Sequence, residues 1–223
     1  MRPRDTILLT GFGPFPGVAD NASQRFVPKL AHLAARRFSA HRVVARILPT
    51  DWERAPARLH DLYTRERPKL VLHFGVSPSA SSYVIERVAH NTRKAAEDAA
   101  GALPRDGVVV RGGPDTLAAR IPVEDVRERL DALGVPAVTS DDAGSYLCNA
   151  LLYRSLIYAE QIAAPEAVGF FHIPQQIQPA LLKSQAEPGV ARFDWGTALI
   201  GGLEIIRTCL GRPPPSRRHV KNR

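Results

Sequence analysis

The chain has 223 residues, 44% hydrophobic and 23% charged, with two cysteines, which suits one domain with a full core and excludes a disulfide framework. No group of four Cys or His falls at ligand spacing, so the sequence argues against a structural zinc. The formal net charge is +8, but much of the excess lies in the last stretch, GRPPPSRRHVKNR, with Arg212, Arg217, Arg218, Lys221 and Arg223, and no aromatic-interleaved basic motif accompanies it to suggest nucleic acid.

Thr6 to Thr10 (TILLT) reads as a buried strand ending at Gly11, and Phe26, Leu30, Leu33 and Ala34 mark one helix face. Arg42 to Leu48 is a second strand, stopped by Pro49. Trp52 to Tyr63 is helical, and Lys69 to Phe74 is a third strand, stopped by Gly75. Tyr83 to Val88 has strand composition. Residues 89–106 are Ala-rich and charged and match no period, and Val108 to Val110 reads as a short strand. Val123, Val126, Leu130 and Leu133 follow Pro122 at helical spacing, with Pro122 suited to a first turn. Pro136 to Thr139 is a short strand, Leu147 to Tyr158 a helix, Val168 to His172 a strand, and Trp195 to Leu210 a last long helix.

Strands alternating with helices predict a single-domain, three-layer α/β/α sandwich with a mostly parallel twisted sheet over residues 1–210. Residues 211–223 read as a basic, Pro-rich, disordered tail. The N-terminus lacks the apolar region of a signal peptide and no run reaches transmembrane length. The expectation is a cytoplasmic protein with no membrane partner.

In such sheets, sites gather beyond the carboxyl ends of strands. Four stretches lie there: Gly11 to Gly17, Gly75 to Ser82, Thr139 to Cys148, and His172 to Gln176. Cys148 opens a helical run, where free N–H groups and the dipole favour a thiolate; a lone cysteine at such a place is also a common core filler. His172 ends an apolar strand and reads either as a buried, satisfied ring or as the base for a thiol. Its position sets it above His32, His41 and His60, which look like surface residues. Glu86, flanked by apolar residues, needs a partner: either an arginine such as Arg87 or Arg93, or a histidine that it orients. GFGPFPG is not a phosphate loop, since it lacks the Lys and Ser/Thr that one requires. Its Phe12 and Phe15 are core plugs or walls of a small apolar pocket. Cys209 reads as a half-buried free thiol in a helix.

GFGPFPGVADNAS, IERVAHN, DDAGSYLCNALLY and GFFHIP, in that order, with LPT at 48–50, resemble the pyroglutamyl peptidase I (pyrrolidone-carboxylate peptidase) family over roughly residues 5–210. The resemblance implies a cytosolic cysteine peptidase that needs neither metal nor cofactor. It also implies a substrate peptide with a blocked N-terminus and assembly as a homo-oligomer, dimer or tetramer. By the same resemblance Cys148 is the nucleophile, His172 the general base and Glu86 the orienting carboxylate. Phe12, Phe15, Asn21, Val76, Tyr146 and Leu147 take the substrate-binding positions. Three stretches depart from the family pattern. GVSPSA at 75–80 places Val76 where a glutamine is usual, and Ala96 stands at the position of an arginine near the oxyanion, leaving Arg93 as a substitute donor. Asn21-Ala22-Ser23 replaces Asn-Pro-Ser/Thr. The loop from Thr92 to Arg105 is expected to cover the site.

Overall fold

Apolar runs of β-branched and leucine residues become strands, and the amphipathic stretches between them become helices that return the chain to the same edge. A computed structural model describes residues 4–162, 164–179 and 192–211. Its elements in chain order are β1 (Thr6–Phe12), α1 (Ala22–Arg37), β2 (Arg42–Leu48), α2 (Arg54–Glu66), β3 (Leu70–Ser77), β4 (Tyr83–Glu86), β5 (Val88–His90), β6 (Thr116–Ala118), α3 (Val123–Ala132), β7 (Ala137–Ser140), α4 (Leu147–Gln161), β8 (Ala167–Pro174) and α5 (Trp195–Cys209). The main sheet has the order β2-β1-β3-β8-β4-β7. Strands β2, β1, β3 and β8 are mutually parallel; β4 runs antiparallel to β8, and β7 runs parallel to β4.

Residue alternation splits the core in two. Ile7, Leu9, Leu72, Phe74, Ile85 and Phe171 pack under α1, α3 and α5. Leu8, Val71, Val168 and Phe170 pack under α2 and α4. This is the mostly parallel sheet covered on both faces that the alternation of elements predicts. Several strands outrun their expected ends: β1 continues through Gly11 to Phe12, and β3 through Gly75 to Ser77. Glycine does not break a parallel ladder when its neighbours supply the pairing, and Gly11 serves a close approach, since a Cβ there would lie 2.7 Å from the Ser23 carbonyl oxygen. No helix among the described residues is long and apolar enough to cross a membrane. The expected tail, apart from Gly211, lies outside the described residues.

Two expectations are corrected. Tyr83 to Val88 is not one strand. It divides at Arg87 into β4 in the main sheet and β5, which pairs with β6 in a separate ribbon. Val108 to Val110 is not a strand. The Asn91 Oδ1 accepts the N–H groups of Val109 (2.9 Å) and Val110 (2.8 Å), and its Nδ2 donates to the carbonyls of Val110 (2.9 Å) and Gly113 (3.2 Å). One buried side chain thus satisfies the backbone that a ladder would otherwise have to satisfy.

Candidate active site

The site forms where β3, β8 and β4 end beneath the start of α4. In the parallel register Gly75 lies beside His172, and in the antiparallel register Val84 lies opposite His172. Glu86, two residues along from Val84, therefore shares the α4 face with His172 as its diagonal neighbour. The His172 Nδ1 and Glu86 Oε1 are 2.7 Å apart, and Glu86 is 1% exposed. The second carboxylate oxygen is buried without a partner among the described residues, which leaves an acceptor at the cavity wall.

The turn before α4 delivers the cysteine. Asp142 Oδ1 accepts the N–H of Gly144 (2.8 Å), and Gly144 adopts φ +78°, a left-handed conformation that disfavours a side chain. Helix α4 then starts at Leu147, with Tyr146 as its N-cap and no side-chain cap. The first-turn N–H groups are thus free of a side-chain acceptor on the side of the cavity, where partial positive charge collects. Cys148 is partly exposed there. Its sulfur fits because β3 carries no side chain at Gly75: a Cβ built there would lie 2.9 Å from Sγ and 2.8 Å from the ring of Phe170.

Burial works against a charged His172, but the charge and hydrogen bond of Cys148, then those of Glu86, outweigh it and raise the ring to about 10. Cysteine, histidine and glutamate therefore form one connected set. Neither arginine considered for Glu86 is its partner. Arg87 reaches Asp141 (3.4 Å) and Glu124 (3.8 Å) instead, and Arg93 lies elsewhere.

A cavity of about 300 Å³ opens over this set. Val76, Val84, Ala143 and Tyr146 give it apolar wall, and Ser77, Ser140 and Asp142 give it polar rim. His172 is the sole basic residue among the described residues that line it. Of the substrate-binding candidates, Val76 and Tyr146 line this cavity. Phe15 packs on Tyr146 at 5.9 Å between ring centroids. Phe12 is buried against Phe170 at 6.2 Å, and Leu147 is buried in the α2/α4 core. Asn21 holds the loop from outside. Its Oδ1 accepts from Ser23 N (3.1 Å) and Ser23 Oγ (2.8 Å), and its Nδ2 donates to the Gly13 carbonyl (3.0 Å). It is the N-cap of α1, and Ala22, which stands where the resembled family pattern carries proline, is the first helical residue.

Arg93 is not in the cavity. Its guanidinium stands 5.7 Å from the Trp52 ring centroid, and its backbone N–H donates to the Gly107 carbonyl (2.7 Å). Lys94 is the residue over Tyr146, at 5.2 Å from the ring. The 92–105 loop runs along the turn that carries the cysteine, through Lys94 N to Ser145 O (2.8 Å) and Tyr146 Oη to Glu97 O (2.9 Å).

Two positions escaped the sequence reading. The sequence marks Gly75 as a strand stop, yet the glycine makes room for the sulfur. Asn149, directly after the cysteine, accepts from His90 N (2.7 Å) and donates to His90 O (2.8 Å) and Thr92 O (3.0 Å). A fully buried amide within an apolar helical run was the available signal for it.

The family model described as pyroglutamyl peptidase matches residues 5–201. The pyrrolidone-carboxylate peptidase of Pyrococcus furiosus is 31% identical over 82% of this chain and 89% of its own length. That of Gloeobacter violaceus is 35% identical over 91% and 97%. A solved single-site mutant of the Pyrococcus furiosus pyrrolidone carboxyl peptidase superposes with a TM-score of 0.80 at 27% identity, covering 92% of this chain and 98% of that one.

Proposed function

The chain belongs to the pyroglutamyl peptidase family, and from that premise we propose that it removes an N-terminal pyroglutamyl residue from peptides, with Cys148 as nucleophile. The observation that carries the reading is His172 standing between Glu86 and Cys148 beneath a cavity with apolar walls. His172 takes the thiol proton while Glu86 holds the ring with its other nitrogen toward sulfur. Sulfur then forms a bond to the pyroglutamyl carbonyl carbon. The oxyanion is held by N–H groups at the start of α4, including that of Cys148, since no arginine or lysine among the described residues lines the cavity. His172 returns the proton to the amine nitrogen, the C–N bond breaks, and the shortened peptide leaves. Water, deprotonated by His172, attacks the thioester and frees pyroglutamate and the thiol. Val76, Val84 and Tyr146 enclose the ring. Phe12, Asn21 and Leu147 act through the walls and loop that they hold, and Phe15 through Tyr146.

Leu133, at the C-cap of α3, Val138 on β7 and Ile200 on α5 are half exposed, and helix α3 packs on both other elements. This supports a working homo-oligomer, dimer or tetramer, and we place it in the cytoplasm. A catalytically inert, ligand-binding member is the weaker reading, because a binding pocket has no need of the assembled cysteine, histidine and glutamate.

Thiol labelling tests the nucleophile. Iodoacetamide at neutral pH should modify Cys148, and 2-pyrrolidone, a mimic of the ring, should protect it. Cys209 keeps part of its surface in solvent, yet burial of its thiol pushes it up to about 12, so it should stay inert. Modification of Cys209 with Cys148 untouched would defeat the proposal.

A further inference from the structure

Behind Trp52, on the side away from the cysteine, two arginines meet without an ion-pair partner among the described residues. Arg154 of α4 donates through Nη2 to the Val109 carbonyl at 2.6 Å, and Arg93 of the loop donates through Nη2 to the same carbonyl at 3.4 Å. The Nε atoms of both are buried and have no hydrogen-bond partner among the described residues, and neither side chain forms an ion pair there. Guanidinium groups placed this close normally share a carboxylate or phosphate.

The surroundings make the deficit larger. A separate cavity of about 480 Å³ opens here, floored by Trp52 and edged by Arg93, Arg154, Arg105, Arg111 and Tyr158. Its two carboxylates are engaged by the outer arginines: Glu53 pairs with Arg105 (3.4 Å) and Asp106 with Arg111 (2.7 Å). Arg105 and Arg111 are 80% and 81% exposed, at the outer edge of the cavity. Four arginines therefore face two carboxylates, and the inner, less exposed pair has neither carboxylate at ion-pair distance. Burial and the neighbouring Arg154 charge both hold the Arg93 guanidinium below its usual range, only partly offset by Glu53 and Asp106, as expected of a like-charge pair lacking its anion.

We propose that the Arg93–Arg154 pair is a binding site for a tetrahedral dianionic oxyanion, either free inorganic phosphate or the phosphate group of a small phosphomonoester. One such group presents enough oxygens to accept from both forks at once. It would tie the 92–111 loop to α4, the helix that begins at the cysteine, and Trp52 links the two places: it carries Arg93 on its face and packs edge-on against Tyr146 at 5.1 Å. The site stands apart from the catalytic cavity and from the reading of the activity.

The test is thermal unfolding and isothermal titration of the full chain with phosphate, sulfate and glycerol phosphate against chloride at matched ionic strength. Binding at tens of times the dissociation constant should raise Tm by about 4–8 °C, with sulfate acting like phosphate. Arg93→Gln and Arg154→Gln should each weaken phosphate binding at least about tenfold, the loss of one charge-assisted fork. Should Arg154→Gln not fold, Arg93→Gln decides alone, since Arg93 lies in a loop. Tighter binding of glycerol phosphate identifies an esterified ligand, and equal binding identifies free phosphate; both support the site. No heat and no Tm shift up to about 20 mM anion, or unchanged binding in the variants, overturns it.

Discussion

Replacing Gly75 by alanine would put a methyl group where the Cys148 sulfur already sits. The new carbon would lie 2.9 Å from Cys148 Sγ and 2.8 Å from the Phe170 ring, well inside van der Waals contact. Sulfur can retreat by rotation, but the ring cannot move cheaply. Phe170 is fully buried and packs on Phe12 at 6.2 Å, His73 at 6.1 Å and His172 at 4.9 Å. Any shift of the ring is passed to the histidine. An overpacked core of this kind costs about 1–3 kcal/mol, which lowers Tm by about 2–12 °C in a chain of this size. Sulfur must also move by roughly 0.7 Å to reach contact distance, and a displacement near 1 Å costs about 10²-fold in rate. Gly75→Ala should therefore lose about 10- to 100-fold in kcat on a pyroglutamyl amide, with a smaller change in KM. Differential scanning fluorimetry and steady-state kinetics read the two effects. An unchanged Tm together with kcat within about twofold of the parent would refute the packing argument.

Three further outcomes follow from the same geometry. Glu86→Gln should cut kcat/KM by about 10²–10⁴-fold; it also removes part of what raises His172, so the alkaline limb of the pH–rate profile should move to lower pH, and an unmoved limb would contradict the contact. His73 is buried between Thr10 Oγ1 and Ser155 Oγ, 2.7 Å from each, and burial lowers it to about 3. A base depressed in the fold contributes stability that is complete above its unfolded value of 6.5 and is lost as pH falls toward 3. That loss is on the order of 5 kcal/mol, and urea unfolding should show a shallower acid slope in His73→Gln. Asn149→Ala strands the N–H and carbonyl of His90 and the carbonyl of Thr92; it should cost about 1–3 kcal/mol, visible as a lower urea midpoint with unchanged slope.

The parts of the fold legible in the sequence were those built by burial. TILLT, KLVLHF and VGFFH form adjacent parallel strands because near-continuous apolar runs suit a sheet covered on both sides, while RVVARIL, interrupted by Arg46 and exposed along part of its length, forms the edge strand β2 beside β1. The segment between β5 and β6 resisted reading because side chains hold it. Asn91 satisfies the turn at Val109 and Val110, and the Asp98 carboxylate accepts from the N–H groups of Trp52 (2.9 Å), Ala100 (2.8 Å) and Ala102 (2.9 Å). Such contacts leave no period of 2 or 3.6 in a sequence. In the site, Cys148 stood out because it opens an apolar helical run, His172 because it ends an apolar strand, and Glu86 because it is a charge flanked by apolar residues. Arg93 misled because spacing places a residue along a loop but does not say on which side of Trp52 its side chain falls. Asn21 and Leu147 lie beside the site as props, a distinction that only packing reveals.

The central claim is that one sulfur, activated by one histidine, performs the hydrolysis. Its most direct measurement is kcat/KM for a fluorogenic pyroglutamyl amide with the parent chain and Cys148→Ser, purified side by side. Turnover by the parent and none above background in Cys148→Ser, with both unfolding at the same temperature, is the predicted result. Equal turnover in the two, or a folded parent that releases no product while Cys148 resists alkylation, would contradict the account.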